Sequence, residues 1–214
     1  MKYRVAYIDE NGGWINTISK TLEPFFDIIK VKVTCESRID QIINDLFETG
    51  IDAIITDYLL EEEEDTSFNG DLIVEELRKS RPYFPLVMLT SYEKDAIAQM
   101  EDVHIIYDKD IFNGELDNAE RLNCFINRVQ TSIDSYYVKY NNIKTRFEEL
   151  SLKRSQETLT ALEEEELTKL YLRMEEFDPD NHDIFLNWLS SSAISQFSTF
   201  VEETKSILKE LKKR

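Results

Sequence analysis

The chain has 214 residues, 25 Lys+Arg against 43 Asp+Glu, a formal net charge of -18 and 42% hydrophobic residues. That length accommodates one domain or two modest ones, and a chain of this size buries about 70% of its unfolded surface without a disulfide or structural metal. The acidity argues against a general nucleic-acid binder, which needs a basic face to displace counterions from phosphates.

The two cysteines, Cys35 and Cys124, stand far apart. They make no disulfide framework and suit a reducing cytoplasm, the expected location. No apolar run reaches the ~20 residues that span a bilayer, so no membrane partner is expected. The start, Met1-Lys2-Tyr3-Arg4 with Asp9 soon after, is charged too early for a signal peptide. Charge and texture both change near residue 116. Residues 1–116 hold 11 Lys+Arg and 25 Asp+Glu, a net -14, whereas residues 117–214 hold 14 and 18, a net -4. All five glycines and three of the four prolines precede residue 116. The first part reads as a turn-punctuated domain and residues 117–214 as a long-helix extension.

In chain order, Arg4–Ile8 is a short apolar run ending at Asp9-Glu10. Trp14, Ile15, Ile18, Leu22 and Phe25 recur at helical spacing. Ile28–Cys35 is rich in β-branched residues with Lys30 and Lys32 alternating, as in an edge strand. Ile39, Ile42, Ile43 and Leu46 mark a second helix, closed by Gly50. Ile51–Thr56 is a strand ending at Asp57, and Leu72, Ile73 and Leu77 mark a third helix. Pro85–Leu89 is a fully apolar strand ending in Thr90-Ser91. A short helix is predicted over Lys94–Met100, then a last strand over Val103–Tyr107, ending at Asp108-Lys109. Strands alternating with helices, and central strands without a polar face, predict a doubly wound α/β domain with a five-stranded parallel sheet.

In such folds the ligand site lies beyond the carboxyl ends of the strands. The residues there are Asp9, Glu10, Asp57, Thr90, Ser91 and Lys109. Clustered carboxylates repel each other and are tolerable beside a cation, and their oxygen ligands suit Mg²⁺. A hard cation, a lysine and a hydroxyl can together hold three phosphoryl oxygens, while one carboxylate serves as nucleophile and forms an acyl phosphate.

This set resembles the receiver domain of two-component response regulators. Arg4-Val-Ala-Tyr-Ile-Asp9-Glu10 resembles the first strand with its metal-binding acids, and Ile54-Ile-Thr-Asp57-Tyr-Leu the third strand with its phosphoacceptor. Val87-Met-Leu-Thr90-Ser91 resembles the fourth strand with its switch hydroxyl, and Lys109 matches the lysine after the fifth. The spacings are 48 residues from Asp9 to Asp57, 33 to Thr90 and 19 to Lys109. The resemblance covers about half the chain. It implies a flavodoxin-like sheet, Asp57 as phosphoacceptor, and Mg²⁺ held by Asp9, Glu10, Asp57 and the Leu59 backbone carbonyl. It also implies Thr90 as switch residue, Lys109 as phosphoryl clamp, and a histidine kinase or phosphotransfer protein as partner. Several positions depart from the family pattern. Ile8 stands where the first of two adjacent acids is usual, Asp110 where a proline is usual and Ile106 where the switch aromatic is usual. No proline follows soon after Asp57, and Gly70 comes late, after the acidic run Glu61–Asp65.

In the second part, Leu122, Phe125, Val129, Ile133, Tyr136, Tyr140, Ile143, Phe147 and Leu150 step by three or four. They predict one helix of roughly 35 residues, about 50 Å long, whose first turns, from about residue 117, are the last helix of the α/β domain and whose remainder projects beyond it. Thr160-Ala-Leu-Glu163 is a capping box opening a second helix with Leu167, Leu170, Tyr171 and Met174. A third is predicted from about Asp183, carrying Ile184, Phe185, Trp188 and Leu189. Three such helices form a bundle or coiled coil, and the apolar excess of the third points to a homodimer. Asp178–Asp183 lacks the sixth-position glycine of a calcium loop and has Leu189 at the twelfth position, so it reads as an interhelix turn. His182 reads as a cap or surface residue. No output domain or catalytic constellation stands out, so the expectation is a signalling protein rather than an enzyme. A non-switching pseudo-receiver and a phosphate-sink receiver of a defence system are the alternatives.

Overall fold

The computed structural model describes residues 2–61, 66–91, 103–114 and 118–179. Five strands, β1 (Arg4–Asp9), β2 (Asp27–Lys32), β3 (Ala53–Asp57), β4 (Leu86–Thr90) and β5 (Ile106–Asp108), form one parallel sheet in the order β2-β1-β3-β4-β5. The described helices are α1 (Gly12–Leu22), α2 (Ile39–Glu48), α3 (Gly70–Ser80), α4 (Ala119–Gln156) and α5 (Ala161–Phe177). Single 3₁₀ turns flank β5 at Val103–Ile105 and Lys109–Phe112. The chain divides into two units, Met1–Lys139 and Tyr140–Arg214, and α4 runs through the division. The boundary expected from the change of composition lies at residue 116, with the last helix of the α/β domain continuing from about 117.

Side chains of successive strand residues point to opposite faces, and the two core clusters of the first unit follow that alternation. Ala6, Ile8, Ile54 and Met88 join residues of α2 and α3 on one face. Val5, Tyr7, Ile55 and Val87 join Ile15 and Ile18 of α1 and Phe125 and Val129 of α4 on the other. β3 and β4 are buried along their whole length, which is why their sequences have no polar face. β2 is an edge strand, and its alternating lysines reach solvent.

Several elements differ from expectation. β5 starts at Ile106 because Val103–Ile105 coils into a 3₁₀ turn. β2 stops at Lys32, before Cys35. Phe25 lies beyond α1 and is exposed, while its neighbour Phe26 takes the buried place. The predicted helices over Lys94–Met100 and from Asp183 lie outside the described residues, as does His182.

The apolar stripe of α4 serves both units in turn. Phe125, Ile126, Val129 and Ile133 pack against the sheet. Phe147 and Leu150 form the core of the second unit with Leu159, Leu167 and Met174. The capping box is closed: Thr160 Oγ1 accepts from the Glu163 amide, and Glu163 accepts from the Thr160 amide. Arg146 grips Glu166 through two nitrogens at 2.8 and 3.1 Å, and Lys153 reaches Glu163 at 2.6 Å, fastening α5 to α4.

One glycine controls the approach of α3 to the sheet. The Gly70 amide donates to the Tyr58 carbonyl at 2.8 Å, and a Cβ at position 70 would lie 2.0 Å from the Asp57 carbonyl oxygen. Backbone must therefore move to admit any side chain. Gly70→Ala is expected to cost about 1–3 kcal/mol, the range for overpacking a buried contact, read as a lower urea midpoint. An unchanged midpoint would contradict the close approach.

Candidate functional site

β1, β3 and β4 end in polar residues on one edge of the sheet because their apolar runs stop there. Asp9 is fully buried at the end of β1. Its Oδ1 accepts from the Asn11 amide at 2.9 Å. Its Oδ2 accepts from the Tyr7 hydroxyl and lies 2.9 Å from Lys109 Nζ. Tyr7 can reach it because residues i and i+2 share a strand face. Glu10 follows, 4% exposed, with Oε2 buried and without a partner. Asp57 ends β3, and its Oδ1 lies 2.8 Å from Lys109 Nζ. The Leu59 amide also bonds the Asp57 carboxylate. Thr90 ends β4, 1% exposed, and Lys109, 4% exposed, opens the 3₁₀ turn after β5.

Oxygens of Asp9, Glu10 and Asp57 lie within 4.8 Å of one another. Glu10 and Asp57 border a cleft of about 60 Å³ lined also by Asn11, Trp14, Leu59, Thr90, Ser91 and Lys109. That volume suits a small ion and water, not an organic ligand. The loop after Leu59 is held from within. The Leu60 amide donates to Asn69 Oδ1 at 2.9 Å, and Thr66 Oγ1 donates to the Leu60 carbonyl at 2.7 Å.

The electrostatics follow from three carboxylates sharing one ammonium in a buried place. Burial pushes Asp57 up to about 6, against the pull of Lys109 and with the push of Asp9. Burial pushes Glu10 up to about 8, helped by the charges of Asp9 and Asp57. Burial works against the Lys109 ammonium, but Asp57 and Asp9 outweigh it and hold its pKa above the ordinary value. Tyr7 stays neutral and is a hydrogen-bond donor, because burial and Asp9 both raise it.

The group is short of positive charge. Among the described residues three buried acids face one lysine, and Glu10 Oε2 has no donor. A hard divalent cation with oxygen preference fits that deficit, the donor set and the size of the cleft. Asp9, Glu10, Asp57 and Leu59 would hold it.

All seven positions named from the sequence, counting Ser91, meet at this edge. Sequence reasoning missed three others. Tyr7 was indistinguishable from core within its apolar run. Asn11 caps α1, its Oδ1 accepting from the Gly13 and Trp14 amides at 2.8 and 3.0 Å, and its own amide holds Asp9. Trp14 places its ring 4.9 Å from Lys109 Nζ. The Asn-Gly-Gly sequence before Trp14 was the available signal for the cap. On β5, Ile106 is buried in the core of the α2/α3 face, while Tyr107 points the other way, edge-on to Phe125 of α4 at 5.2 Å.

The sheet order β2-β1-β3-β4-β5 is the flavodoxin-like order, shared by receiver domains. The fold is receiver-like. The chain is similar to the BeF3-activated receiver domain of DrrB from Thermotoga maritima, with 16% identity and a TM-score of 0.44 over 63% of this chain and 99% of that one. It is also similar to the non-phosphorylated receiver domain of the stress response regulator RcsB from Escherichia coli, with 19% identity and a TM-score of 0.43 over 56% and 92%. A further similar structure is an adenylate cyclase from Rhodopirellula baltica, with 17% identity and a TM-score of 0.49 over 67% and 98%. These likenesses concern the fold alone. No family model matches the chain, and no curated protein does.

The raised carboxyls give a pH dependence of definite sign. In the folded state Glu10 binds its proton more tightly than in the unfolded chain, so ionising it costs stability. Metal-free protein should lose stability as pH rises from about 4.5 through about 8, the interval between the ordinary and folded values. Glu10→Gln should flatten that decline and melt higher than the parent at pH 8. Parallel melting profiles of the two proteins across this range would refute the assignment.

Proposed function

We propose that this protein is a phosphoacceptor receiver of a two-component phosphorelay, phosphorylated on Asp57. The observation that carries the reading is Lys109 Nζ bridging Asp9 and Asp57 at 2.9 and 2.8 Å beside the unpartnered Glu10 oxygen. Asp57 is the only one of the three acids that ends the central strand β3 and lines the cleft beside both Thr90 and Lys109.

The donor is a phosphohistidine of a histidine kinase or phosphotransfer protein. An Asp57 carboxylate oxygen attacks phosphorus, the P–N bond breaks, and the imidazole leaves with the electron pair and takes a proton. The product is an acyl phosphate on Asp57. Lys109 neutralises one phosphoryl oxygen and Thr90 donates to another. When bound, Mg²⁺ supplies charge neutralisation for the remaining oxygens, held by Asp9, Glu10, Asp57 and the Leu59 carbonyl. The Leu59 amide and Lys109 keep the nucleophile ionised against the effect of burial. The protein is a signalling component, with no turnover of its own beyond self-phosphorylation.

The helical unit is the contact surface. Leu152, Leu162 and Leu172 are exposed on α4 and α5, which supports a homodimer through this region. Among the described residues no helix is long and apolar enough to cross a membrane, in keeping with work in the cytoplasm. The burial of Ile106 where an aromatic swing would start favours one second reading, a scaffold that binds partners without switching.

Incubation with Mg²⁺ and acetyl phosphate, followed by intact mass measurement, should show one phosphoryl group on the parent and none on Asp57→Asn. Failure of this gain, with transfer from histidine kinases also failing, would leave the scaffold reading. Sedimentation velocity of the full chain should show a dimer; a monomer at high concentration would remove the dimer claim.

A further inference from the structure

Among the described residues Lys109 has three attachments, and two of them are carboxylates that a cation would claim. Asp9 Oδ2 and Asp57 Oδ1 are its charged partners. The third is uncharged: the Trp14 ring, with its centroid 4.9 Å from Nζ, inside the range for a cation–π contact. Trp14 lines the same cleft. Its position at the first turn of α1 is set by the Asn11 cap, which accepts from the Trp14 amide. Asp9 has two other donors, the Asn11 amide and the Tyr7 hydroxyl, so it keeps its orientation when Lys109 withdraws.

We propose that Trp14 is a positioning residue for Lys109, offering the ammonium a neutral seat at the cleft wall when Asp9 and Asp57 turn to a divalent cation. This inference rests on the receiver reading. The physical reason is an exchange cost. Lys109 is buried and cannot move to water, so leaving both carboxylates without another electron-rich partner would strand its charge. An aromatic face lessens that penalty without competing for the cation as an acid would. Tryptophan is the aromatic side chain best suited to this. A leucine at position 14 would fill the space but leave Lys109 tied to Asp9 and Asp57, opposing the cation.

The test is a double-mutant cycle on Mg²⁺ affinity, measured by titration calorimetry with the full-length protein. Trp14→Leu is expected to weaken Mg²⁺ binding about three- to tenfold, the scale of a partly desolvated cation–π contact. Trp14→Phe should restore most of the loss, since it keeps an aromatic face. In a Lys109→Met background the Trp14→Leu change should have no effect on Mg²⁺, because the ammonium needing the seat is gone. Melting curves of each variant without Mg²⁺ separate these effects from misfolding, and the Phe variant retains the packing. Equal weakening by Leu and Phe, or an undiminished Leu effect in the Lys109→Met background, overturns the inference while leaving the receiver reading intact. A parent protein that neither binds Mg²⁺ nor gains phosphoryl on Asp57 overturns both.

Discussion

Three carboxylates and one ammonium share a small buried space at the carboxyl edge of the sheet, and much of the first unit exists to make that tolerable. Asp9, Asp57 and Lys109 are each at most 5% exposed. A buried charge is costly unless paired and hydrogen-bonded, and a pair holds only if its geometry is fixed. The parallel sheet fixes it. β1 and β3 are adjacent and in register, so the acids ending them are neighbours by construction. β4 brings Thr90 to the same level, and its pairing with β5 places Asp108, and therefore Lys109, alongside. The fully apolar strands are the other half of the same arrangement. They bind the sheet tightly enough to hold a site that by itself opposes folding.

That opposition is incomplete in its compensation, and the incompleteness is informative. Lys109 satisfies Asp9 and Asp57, Tyr7 and Asn11 add donors to Asp9, and the Leu59 amide adds one to Asp57. Glu10 gets none for Oε2. A buried oxygen without a donor costs free energy that folding has to supply, and such oxygens are uncommon in native proteins. The unmet demand is for positive charge, and among the described residues the ion-pair network does not close on itself. The protonation of Glu10 near neutrality is the same demand expressed as affinity for a proton.

The strand ends were readable because the fold converts a one-dimensional signal into a place. An apolar run that stops at Asp9, Asp57 or Thr90 stops where the sheet meets solvent, and a parallel sheet gathers all such stops on one edge. What sequence could not show was anything set by alternation within a run or by register between elements. Tyr7 looked like core because its ring is core, while its hydroxyl, one strand pitch from Asp9, belongs to the site. Trp14 fitted the apolar stripe of α1 and partly does pack there, yet its ring also faces Lys109. Gly70 looked like loop punctuation, although its missing Cβ is what lets α3 approach the backbone of Asp57. The long helix was readable in length and in its double role, with its first turns completing the α/β domain. The place where one role gives way to the other was not, because one unbroken stripe marks no boundary.

The neighbourhood of β5 ties the charged cluster to the start of α4 within the first unit. Ile106 is buried in the core of one face. On the other side of the strand, Tyr107 packs edge-on against Phe125, and the Arg128 guanidinium lies 5.8 Å from the Tyr107 ring. Asp108, the residue before Lys109, is paired with Arg121 at 2.9 Å. Arg121, Phe125 and Arg128 all belong to α4. The residues immediately before Lys109 are therefore tied to α4 by an ion pair, a ring contact and a guanidinium, all on the part of that helix within the first unit. A displacement of Lys109 would be felt first by its covalent neighbour Asp108 and hence by Arg121. From the charged cluster, Lys109 leads through Asp108 to Arg121 of α4, while Ile106 stays buried on the opposite face of the strand.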